Sequence, residues 1–537
     1  MKLFQQLLVA PAALGLLAPV AAQAADFNVD AMSEYAPSSQ KEQVTSINQF
    51  SDVYPTDWAY QALASLIERY GCVAGYPNGT FRGNRAMTRY EAAALLNACL
   101  DRITEITDEL RRLIKEFEKE LAIIRGRVDG LEARVGELEA TQFSTTTKLN
   151  GTTHWVVGAA KYHGAAHEEL ARAAGATSFS YDLRLALDTS FTGKDLLRTR
   201  LRSGNMNNIF GANAPIGLFG QEYGVDSGNQ VFIDRLFYSF PIGSEFTIVG
   251  GPVVRQDDML PVWPSAYPSD MTMDFFTYAG APGAYNLALG GGAGIYWQTE
   301  GGFSISTSYL STNASGSCTD NKELDQGGVC YDDDGNDIGG GIATDAAGSN
   351  ATTQIAYAPD NWGIAAVYTK ASGDNGVGVY PGNATLGAVA VAMSDVTNSY
   401  GLSAWWMPEE SGWIPSISAG WGLTDISDSN LPGIKSATTQ SWYVGLEWSD
   451  VFLMGNSFGI AAGQPTFITD IDTNDKYDDS DFTSGGGYAW EFFYKFQVTD
   501  NITVTPAVHY LSKPFPNQKS DNTTTGLSGL VKTTFKF

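Results

Sequence analysis

The 537-residue sequence predicts a mainly β protein. Its larger part is predicted to be a transmembrane antiparallel β-barrel of ~16 strands, preceded by a small α-helical module and a coiled-coil stalk. Three observations predict this class: hydrophobicity with a period of two, short turns that alternate with long polar loops, and an unusual composition. Charged residues make up 17% of the chain and aromatic residues 12%, with 58 Gly. Barrels with aromatic girdles and glycine corners have such a composition, whereas helical soluble enzymes do not.

Alternation of apolar and polar residues is the main signal of the β-rich part. In the segment Leu530–Phe537, Val531 and Phe535 share one parity, and Lys532 and Lys536 share the other. A period of two predicts a strand with one apolar face towards lipid and one polar face towards an aqueous lumen. The same pattern recurs in residues 181–191, 303–309, 490–496 and 502–510. A soluble β-sandwich is the alternative, but it explains the aromatic strand ends less well.

Short turns and long loops alternate along this part of the chain. Turns are predicted at residues 241–244, 358–361 and 497–501, and long polar loops at residues 313–350, 371–384 and 469–487. Transmembrane barrels carry short turns at one end and longer loops at the other. At roughly 22–25 residues per strand with its connection, residues 142–537 give ~16 strands, enough to leave an aqueous channel.

The N-terminal residues predict export. Lys2 precedes an apolar run that ends at the small residues Ala22 and Ala24, so residues 1–24 are predicted to be a secretory signal peptide and residues 25–46 a flexible lead-in. No other stretch of the sequence approaches the ~20 consecutive apolar residues of a membrane helix. The net charge of −26 argues against nucleic acid as a partner, because a phosphate backbone requires a basic surface.

The four cysteines favour disulfide bonds. An even number of cysteines in an exported chain predicts pairing, and proximity in the sequence favours Cys72–Cys99 and Cys318–Cys330. Neither pair has CxxC spacing or histidines at zinc spacing, so redox chemistry and zinc binding are not expected.

Residues 47–101 carry the motifs of a compact helical module. The segment Phe50–Val53 precedes a turn and a helix predicted from Trp58 to Tyr70, and residues 75–81 form a turn-rich connector. Thr88 and Glu91 have capping-box spacing at the start of a second helix.

These segments resemble one S-layer homology (SLH) module. The resemblance implies binding of a peptidoglycan-linked polysaccharide, in which Arg89 contacts the anionic glycan and Thr88 and Glu91 order the start of the helix. Trp58 belongs to the same candidate site, and Tyr90 replaces the alanine of the family motif. Proteins of this family often carry three modules in tandem, whereas this sequence has one, so an oligomer is needed to supply several copies. A purely structural role of the module is the alternative.

Residues 102–141 predict a coiled coil. Apolar residues recur at alternating spacings of three and four, first from Ile103 to Phe117 and then from Leu121 to Leu138, with charged residues between them. One extra spacing of four separates the two runs, a stutter that locally unwinds a supercoil. The narrow seam predicts self-association, and a trimer suits the barrel that follows. An amphipathic helix lying on another domain is the alternative.

The order of these parts resembles that of cyanobacterial outer-membrane porins, whose barrel is related to the carbohydrate-selective (OprB-type) porins and which include iron uptake porins. Residues 234–241 and 255–261 look like segments of that barrel. The resemblance implies passive diffusion of small hydrophilic solutes through a homotrimer in the outer membrane. It also implies a periplasmic N-terminal domain that attaches the membrane to the cell wall. Inorganic ions, iron species and small sugars are the candidate solutes, and no cofactor or enzymatic activity is expected.

Arginines with strand spacing are the candidate lumen residues. Arg198, Arg200 and Arg202 share one parity, and an arginine that faces lipid at mid-depth costs about 2–4 kcal/mol. They are therefore expected to point into the lumen. The hypothesis is that residues 259–268, rich in Pro and Trp, fold inward and narrow the pore opposite these arginines. The candidate pore-lining residues are Arg184, Arg198, Arg200, Arg202, Arg235, Arg255, Asp257 and Asp258. In the alternative, the arginines sit near a strand end and snorkel to water.

Two acidic segments have oxygen ligands at alternate positions. They contain Asp332, Asp334 and Asn336, and Asp470, Asp472 and Asn474. This spacing suits a hard cation such as Ca²⁺, but neither segment is a full EF-hand loop. Solvated loop acids are the favoured interpretation, and Ca²⁺ in the loops is the weaker one. His154, His163 and His167 are interpreted as loop residues.

Two other functional classes compete with a porin. A structural tether would join membrane and wall through a closed barrel. A membrane-embedded hydrolase would need a Ser/His pair on adjacent strands. The near absence of histidine from the barrel strands, with His509 as the exception, argues against it.

Overall fold

The computed structural model describes residues 46–56, 60–65, 67, 81, 115–116, 118–119, 146–211, 216–268, 273–317, 339–344, 346–372, 379, 382–392, 394–410, 412–429, 433–473, 487–515 and 523–537. The chain divides into two compact units, residues 1–142 and 143–537. Several predictions fall outside the described residues: the signal peptide, the coiled-coil seam, all four cysteines, and the candidate site residues Trp58, Thr88, Arg89, Glu91, Asp332, Asp334, Asn336 and Asn474.

The described part of the first unit is a small apolar core. A 3₁₀ turn, Ile47–Gln49, precedes helix α1, Tyr60–Ser65. Ile47, Phe50, Leu63 and Ile67 are buried together, and Phe81 packs against them. The Asp52 carboxylate accepts a hydrogen bond from the backbone N–H of Phe81 at 2.6 Å, which closes this core. Among the described residues, no helix is both long and apolar enough to cross a membrane.

The second unit is a closed antiparallel barrel. Its sixteen described strands follow one another around the wall in chain order, and the last pairs with the first. The strands are β1 Thr147–His163, β2 Ser178–Thr189, β3 Leu196–Gly204, β4 Phe232–Ile242, β5 Phe246–Arg255, β6 Leu289–Gln298, β7 Phe303–Ser311, β8 Ser349–Tyr357, β9 Trp362–Ser372, β10 Ser394–Trp406, β11 Ser416–Ser429, β12 Ile434–Ser449, β13 Ser457–Thr473, β14 Ala489–Thr499, β15 Ile502–Ser512 and β16 Thr525–Lys536. The predicted fold class and strand number are confirmed.

Alternation places apolar side chains on the outer face of the wall. On β16, Leu527 and Val531 are 46% and 44% exposed, whereas Leu530 and Lys532 are buried. The inner face departs from the expectation of a fully wetted lumen, because Lys532 is only 1% exposed. Its ammonium group lies 4.6 Å from the centre of the Tyr223 ring. Tyr223 belongs to the connection between β3 and β4, so a loop covers this side of the inner wall.

Connections differ in length at the two ends of the barrel, as predicted. The end that carries the long connections is here called the loop end, and the other the turn end. The β1–β2 connection contains helix α2, His167–Ala174, and the β9–β10 connection contains helix α3, Leu386–Ala392. His163 therefore ends a strand and His167 starts a helix, which corrects their interpretation as turn residues. Strand β13 extends to Thr473, so Asp470 and Asp472 lie in a strand and not in a loop.

Two long connections enter the barrel. Loop 2, residues 205–231, buries Phe210, Phe219 and Tyr223 against the inner wall, where Phe219 packs near Tyr162 and His509. Loop 3, residues 256–288, crosses to the opposite wall, formed by β10–β14. Peptide groups and apolar side chains of loop 3 lie there against small residues of β10–β14.

Wall hydroxyl groups and glycines hold loop 3 in place. Ser403 and Ser441 donate hydrogen bonds to the carbonyls of Ala279 and Gly280, each at 2.8 Å. Gly280 has φ of +78°, a left-handed conformation that suits glycine, and it lies against Gly420 of β11. A β-carbon at Gly420 would overlap the carbonyl oxygen of Ala279. The absence of side chains at both positions permits this close approach.

Replacing Gly420 with Ala should destabilise the barrel. The added methyl group forces loop 3 away from β11, and overpacking of this kind costs about 1–3 kcal/mol. The free energy of unfolding can be measured by urea titration of Trp fluorescence in detergent micelles. Gly412→Ala is the matched control, because no atom lies within 4 Å of the position its β-carbon would take. Equal stability of the two variants would contradict the proposed packing.

Candidate functional site

The inner wall formed by β2–β5 carries a network of charged side chains. Arginines alternate along β3, and the antiparallel register places Arg202 opposite Arg184 and Arg198 opposite Asp188. The register between β3 and β4 shifts after Arg200, a β-bulge that directs both Asp234 and Arg235 into the barrel. The eight candidate pore-lining residues predicted from the sequence all belong to these ion pairs.

Each wall arginine has a carboxylate partner. Arg202 Nε lies 2.7 Å from Asp182 Oδ2, and Arg198 Nε lies 2.8 Å from Asp188 Oδ1. Arg200 is paired with Asp234. Arginine charge is therefore compensated within the described network, and the arginines do not form an unpaired ladder.

Carboxylates from the two in-folded loops complete the network. Glu222 of loop 2 accepts from Arg184 at 3.2 Å and lies 3.4 Å from Arg255 Nη1. In loop 3, Asp257 pairs with Arg255 at 2.5 Å and Asp258 with Arg235 at 2.6 Å. Ion pairs thus hold both loops to the same side of the barrel.

The wall arginines of β2 and β3 are more exposed than the wall carboxylates that they pair with. The side chain of Arg184 is 16% exposed and that of Asp182 is 0%; for Arg198 and Asp188 the values are 31% and 19%. In loop 3 the order is reversed, since Asp258 is 14% exposed and Arg235 1%. The wall therefore presents positive charge to the water-accessible space, and loop 3 presents negative charge.

The three loop carboxylates have displaced pKa values. Burial opposes ionisation of Glu222 and Asp257, but neighbouring arginines outweigh burial and hold the pKa of both below the ordinary range. Burial and the adjacent Asp257 raise the pKa of Asp258, in spite of its contact with Arg235. As the pH falls, Asp258 is therefore the first of the three to take up a proton.

Two water-accessible cavities lie at the turn end of the barrel. One, of about 400 Å³, is lined by Asn150, Thr152, His154, Arg184, Ala186, Asp188, Arg198, Arg200 and Lys536. The other, of about 200 Å³, is lined by Pro268, Lys495, Gln497, Asp500, Asn501, Thr503, Thr534 and Lys536. Lys536 contributes to both, so the cavities adjoin.

A buried carboxylate anchors the far side of loop 3. Glu491 of β14 accepts hydrogen bonds from the Tyr267 hydroxyl and from the backbone N–H of Met273, both at 2.6 Å. Ser265 adds a hydrogen bond of 2.8 Å to the hydroxyl of Tyr443. Sequence reasoning missed Glu491 because one inward-facing acid on a strand gives no sign of which loop it will meet.

Two histidines lie in the wall and not in loops. His154 Nδ1 is 2.9 Å from Thr534 Oγ1, and His509 Nδ1 is 2.8 Å from Ser528 Oγ. The interpretation of His154 as a loop residue was wrong, because it faces inward on β1 and stacks on Tyr223. A membrane-embedded hydrolase would need a Ser/His pair on adjacent strands, and Ser528 on β16 and His509 on β15 form such a pair. However, both residues are buried, at 1% and 0% exposure, so a substrate has no access to them.

The cation candidates that fall within the described residues do not form a cage. Asp470 and Asp472 are exposed on β13, and Asp472 lies 3.2 Å from Lys435. In the described part of the chain, no three His, Cys, Asp or Glu residues are grouped as a metal site would require.

Comparison with known proteins places this architecture in a family. A family described as "Carbohydrate-selective porin, OprB family" matches residues 107–537, beginning within the predicted coiled coil, and the S-layer homology domain matches residues 49–93. An uncharacterized protein of Nostoc sp. is 36% identical over 95% of this chain and 88% of its own length. An uncharacterized protein of Synechocystis sp. is 31% identical over 92% of this chain and 91% of its own length.

A solved porin structure matches this chain at low sequence identity. OprB of Pseudomonas putida, at high pH, is 13% identical over 75% of this chain and 96% of that chain, with a TM-score of 0.46. Both resemblances drawn from the sequence are confirmed by the family matches. The chain belongs to the OprB family of carbohydrate-selective porins, which are not enzymes, and is an outer-membrane β-barrel that carries an N-terminal S-layer homology domain.

Proposed function

We propose that this protein lets small hydrophilic solutes and inorganic ions diffuse passively across the outer membrane. The observation that carries the proposal is the charged inner wall, whose strands β2 and β3 border the larger of two adjoining water-accessible cavities inside a closed barrel. A porin requires a lumen whose width and charge select solutes, and it requires no catalyst. Inorganic ions, iron species and small sugars remain the candidate solutes.

Selection is proposed to occur between the wall and loop 3. Arg184 and Arg198 present positive charge from the wall, and Asp257 and Asp258 present negative charge from loop 3. Neighbouring charges of opposite sign along a narrow lumen create a local field in the path of the solute. Such a field orients polar solutes and filters ions by sign and size.

The N-terminal unit is proposed to attach this barrel to the cell wall. The S-layer homology domain implies binding to cell-wall polysaccharide, and the short-turn end of a transmembrane barrel faces the periplasm. The coiled coil is proposed to join three copies, so that three SLH domains act together through avidity.

Single-channel recording in a planar bilayer tests the central proposal. Stepwise current increments are expected when the purified, folded protein is added, and reversal potentials in a salt gradient give the sign of selectivity. Folding is checked beforehand by the resistance of the barrel to SDS at room temperature and its loss on boiling. A folded protein that produces no current steps would overturn the porin proposal.

A structural tether with a largely closed barrel is the second candidate function. It is favoured by the extent of the in-folded loops, since Phe210 and Phe219 of loop 2 and Phe275 and Phe276 of loop 3 are buried inside the barrel. The tether predicts a silent bilayer together with intact binding to cell-wall fragments. The same recording therefore separates the two functions.

Replacing Arg198, Arg200 and Arg202 with Ser should shift selectivity towards cations. The change removes three positive charges from the wall and leaves Asp182, Asp188 and Asp234 with fewer arginine partners, and electrostatic effects of this kind reach roughly tenfold on ion access. Reversal potentials measure the ratio of anion to cation permeability. The matched control is the double variant R198S/D188S, which removes both charges of one ion pair and should keep the ratio within about twofold. An unchanged ratio in the triple variant would contradict the assignment of these arginines to the lumen.

Replacing Arg89 with Ala should weaken wall binding at least tenfold without affecting the barrel. The SLH resemblance assigns Arg89 to the anionic glycan, and the loss of a charged hydrogen bond costs about 1.5–3 kcal/mol, or roughly tenfold or more in affinity. Co-sedimentation with purified cell-wall fragments measures binding. Lys370→Gln, a charge removal on the exposed face of β9, is the control. Wild-type sedimentation of the Arg89 variant would refute this role.

A further inference from the structure

The turn end of the lumen contains two lysines that differ from the arginines deeper in the barrel. Lys495 of β14 and Lys536 of β16 line the same cavity of about 200 Å³. Among the residues that the structure describes, no carboxylate lies within ion-pair distance of either ammonium group, whereas every arginine of the wall network has such a partner. The two lysines therefore bring positive charge that is not held in an ion pair with a described residue into a water-accessible space.

Polar groups around the lysines suit an anion. Thr503 and Thr534 occupy opposite positions in the pairing of β15 with β16, and both line the cavity. Asp500 also lines it and offsets one of the two positive charges. The net charge of the lining is still positive, and hydroxyl groups and ammonium groups are donors that bind oxyanions.

Size and surface chemistry narrow the class of solute. A cavity of about 200 Å³ has room for about six waters, which is enough for one tetrahedral oxyanion with part of its hydration shell. Neither of the two cavities has a Trp, Tyr or Phe among its described lining residues. A ring that could stack against a sugar is thus not part of this lining, and charge is the dominant property.

Lys536 connects this cavity to the arginine wall. It lines the larger cavity as well, together with Arg198 and Arg200. An anion held by Lys495 and Lys536 thus lies next to the partly exposed side chains of Arg198 and Arg200 on β3. Several adjacent sites of moderate strength permit entry and exit, whereas one strong site would trap the ion.

We propose that Lys495 and Lys536 form an oxyanion subsite at the turn end of the lumen, which captures small phosphate- or carboxylate-bearing solutes and passes them to the arginine wall. The inference rests on the proposed porin function and names a class of solute for it. Lysine acts here as a point charge, which binds phosphate without the planar geometry that arginine requires. The subsite raises the local concentration of anions next to the narrow part of the lumen.

Inorganic phosphate is the probe for a test in planar bilayers. With chloride as the current carrier, phosphate added to the turn side should reduce the wild-type single-channel current in a saturable manner. The double variant K495Q/K536Q should need at least tenfold more phosphate for half-maximal reduction. Lys370→Gln removes one positive charge from the exposed face of β9 and should behave as wild type. Both lysines of the subsite are at least partly exposed, so their replacement by Gln should leave folding intact.

The outcomes separate this inference from the porin proposal. If chloride itself gives no channels, the porin function fails, and phosphate binding is then measured by ³¹P line broadening with the protein in detergent micelles. If chloride currents are normal but phosphate acts equally on wild type and K495Q/K536Q, the oxyanion subsite is refuted and the porin function stands. The subsite is supported if K495Q/K536Q loses the phosphate effect while wild type and Lys370→Gln keep it.

Discussion

The pairing of wall arginines with carboxylates is the interaction on which the interior of this barrel depends. A barrel that admits two long loops displaces much of the water that would otherwise solvate inward charges. Arginines left alone there would carry a high desolvation cost, and breaking a buried pair typically costs about 3–5 kcal/mol. Glu222 and Asp258 reduce that cost, and in doing so they fix loops 2 and 3 to the wall. The same carboxylates therefore neutralise the wall arginines and fix the positions of the two loops.

The wall could be predicted from the sequence because a strand has only two faces. Parity alone assigned Arg198, Arg200 and Arg202 to one face, and the cost of arginine in lipid indicated which face. The same parity placed Asp182, Arg184 and Asp188 on the inner face of β2, so the pairing of inward arginines with inward acids was within reach of sequence reasoning. The short turn between β2 and β3 then sets the register of the two strands. Regular geometry thus made this part of the site predictable.

Other parts of the site depend on irregular geometry, which a period of two does not encode. The bulge in β4 brings Asp234 and Arg235 to the same face, although adjacent strand residues normally face opposite ways. Glu222 comes from loop 2, and the apolar residues of that loop do not by themselves indicate that it folds into the barrel. Its position depends on packing against the inner wall, which is formed by other segments. Lys532 seemed to belong to a wetted face, yet loop 2 covers it. Contacts between distant segments decide each of these cases.

The inner wall has two halves with different roles. Small and hydroxyl-bearing residues of β10–β12, such as Gly420, Ser403 and Ser441, hold the backbone of loop 3 at close range, so side chains there are constrained by packing. Near the turn end, inner side chains of β2, β3 and β16 such as Asp188, Arg198 and Lys536 border water. The side chains of Arg198 and Lys536 make no described hydrogen bond to the backbone of loop 2 or loop 3. A change of charge on β2, β3 or β16 therefore alters which ions the lumen attracts without moving loop 3. Selectivity can therefore vary on one side of the barrel while the narrowing is preserved on the other.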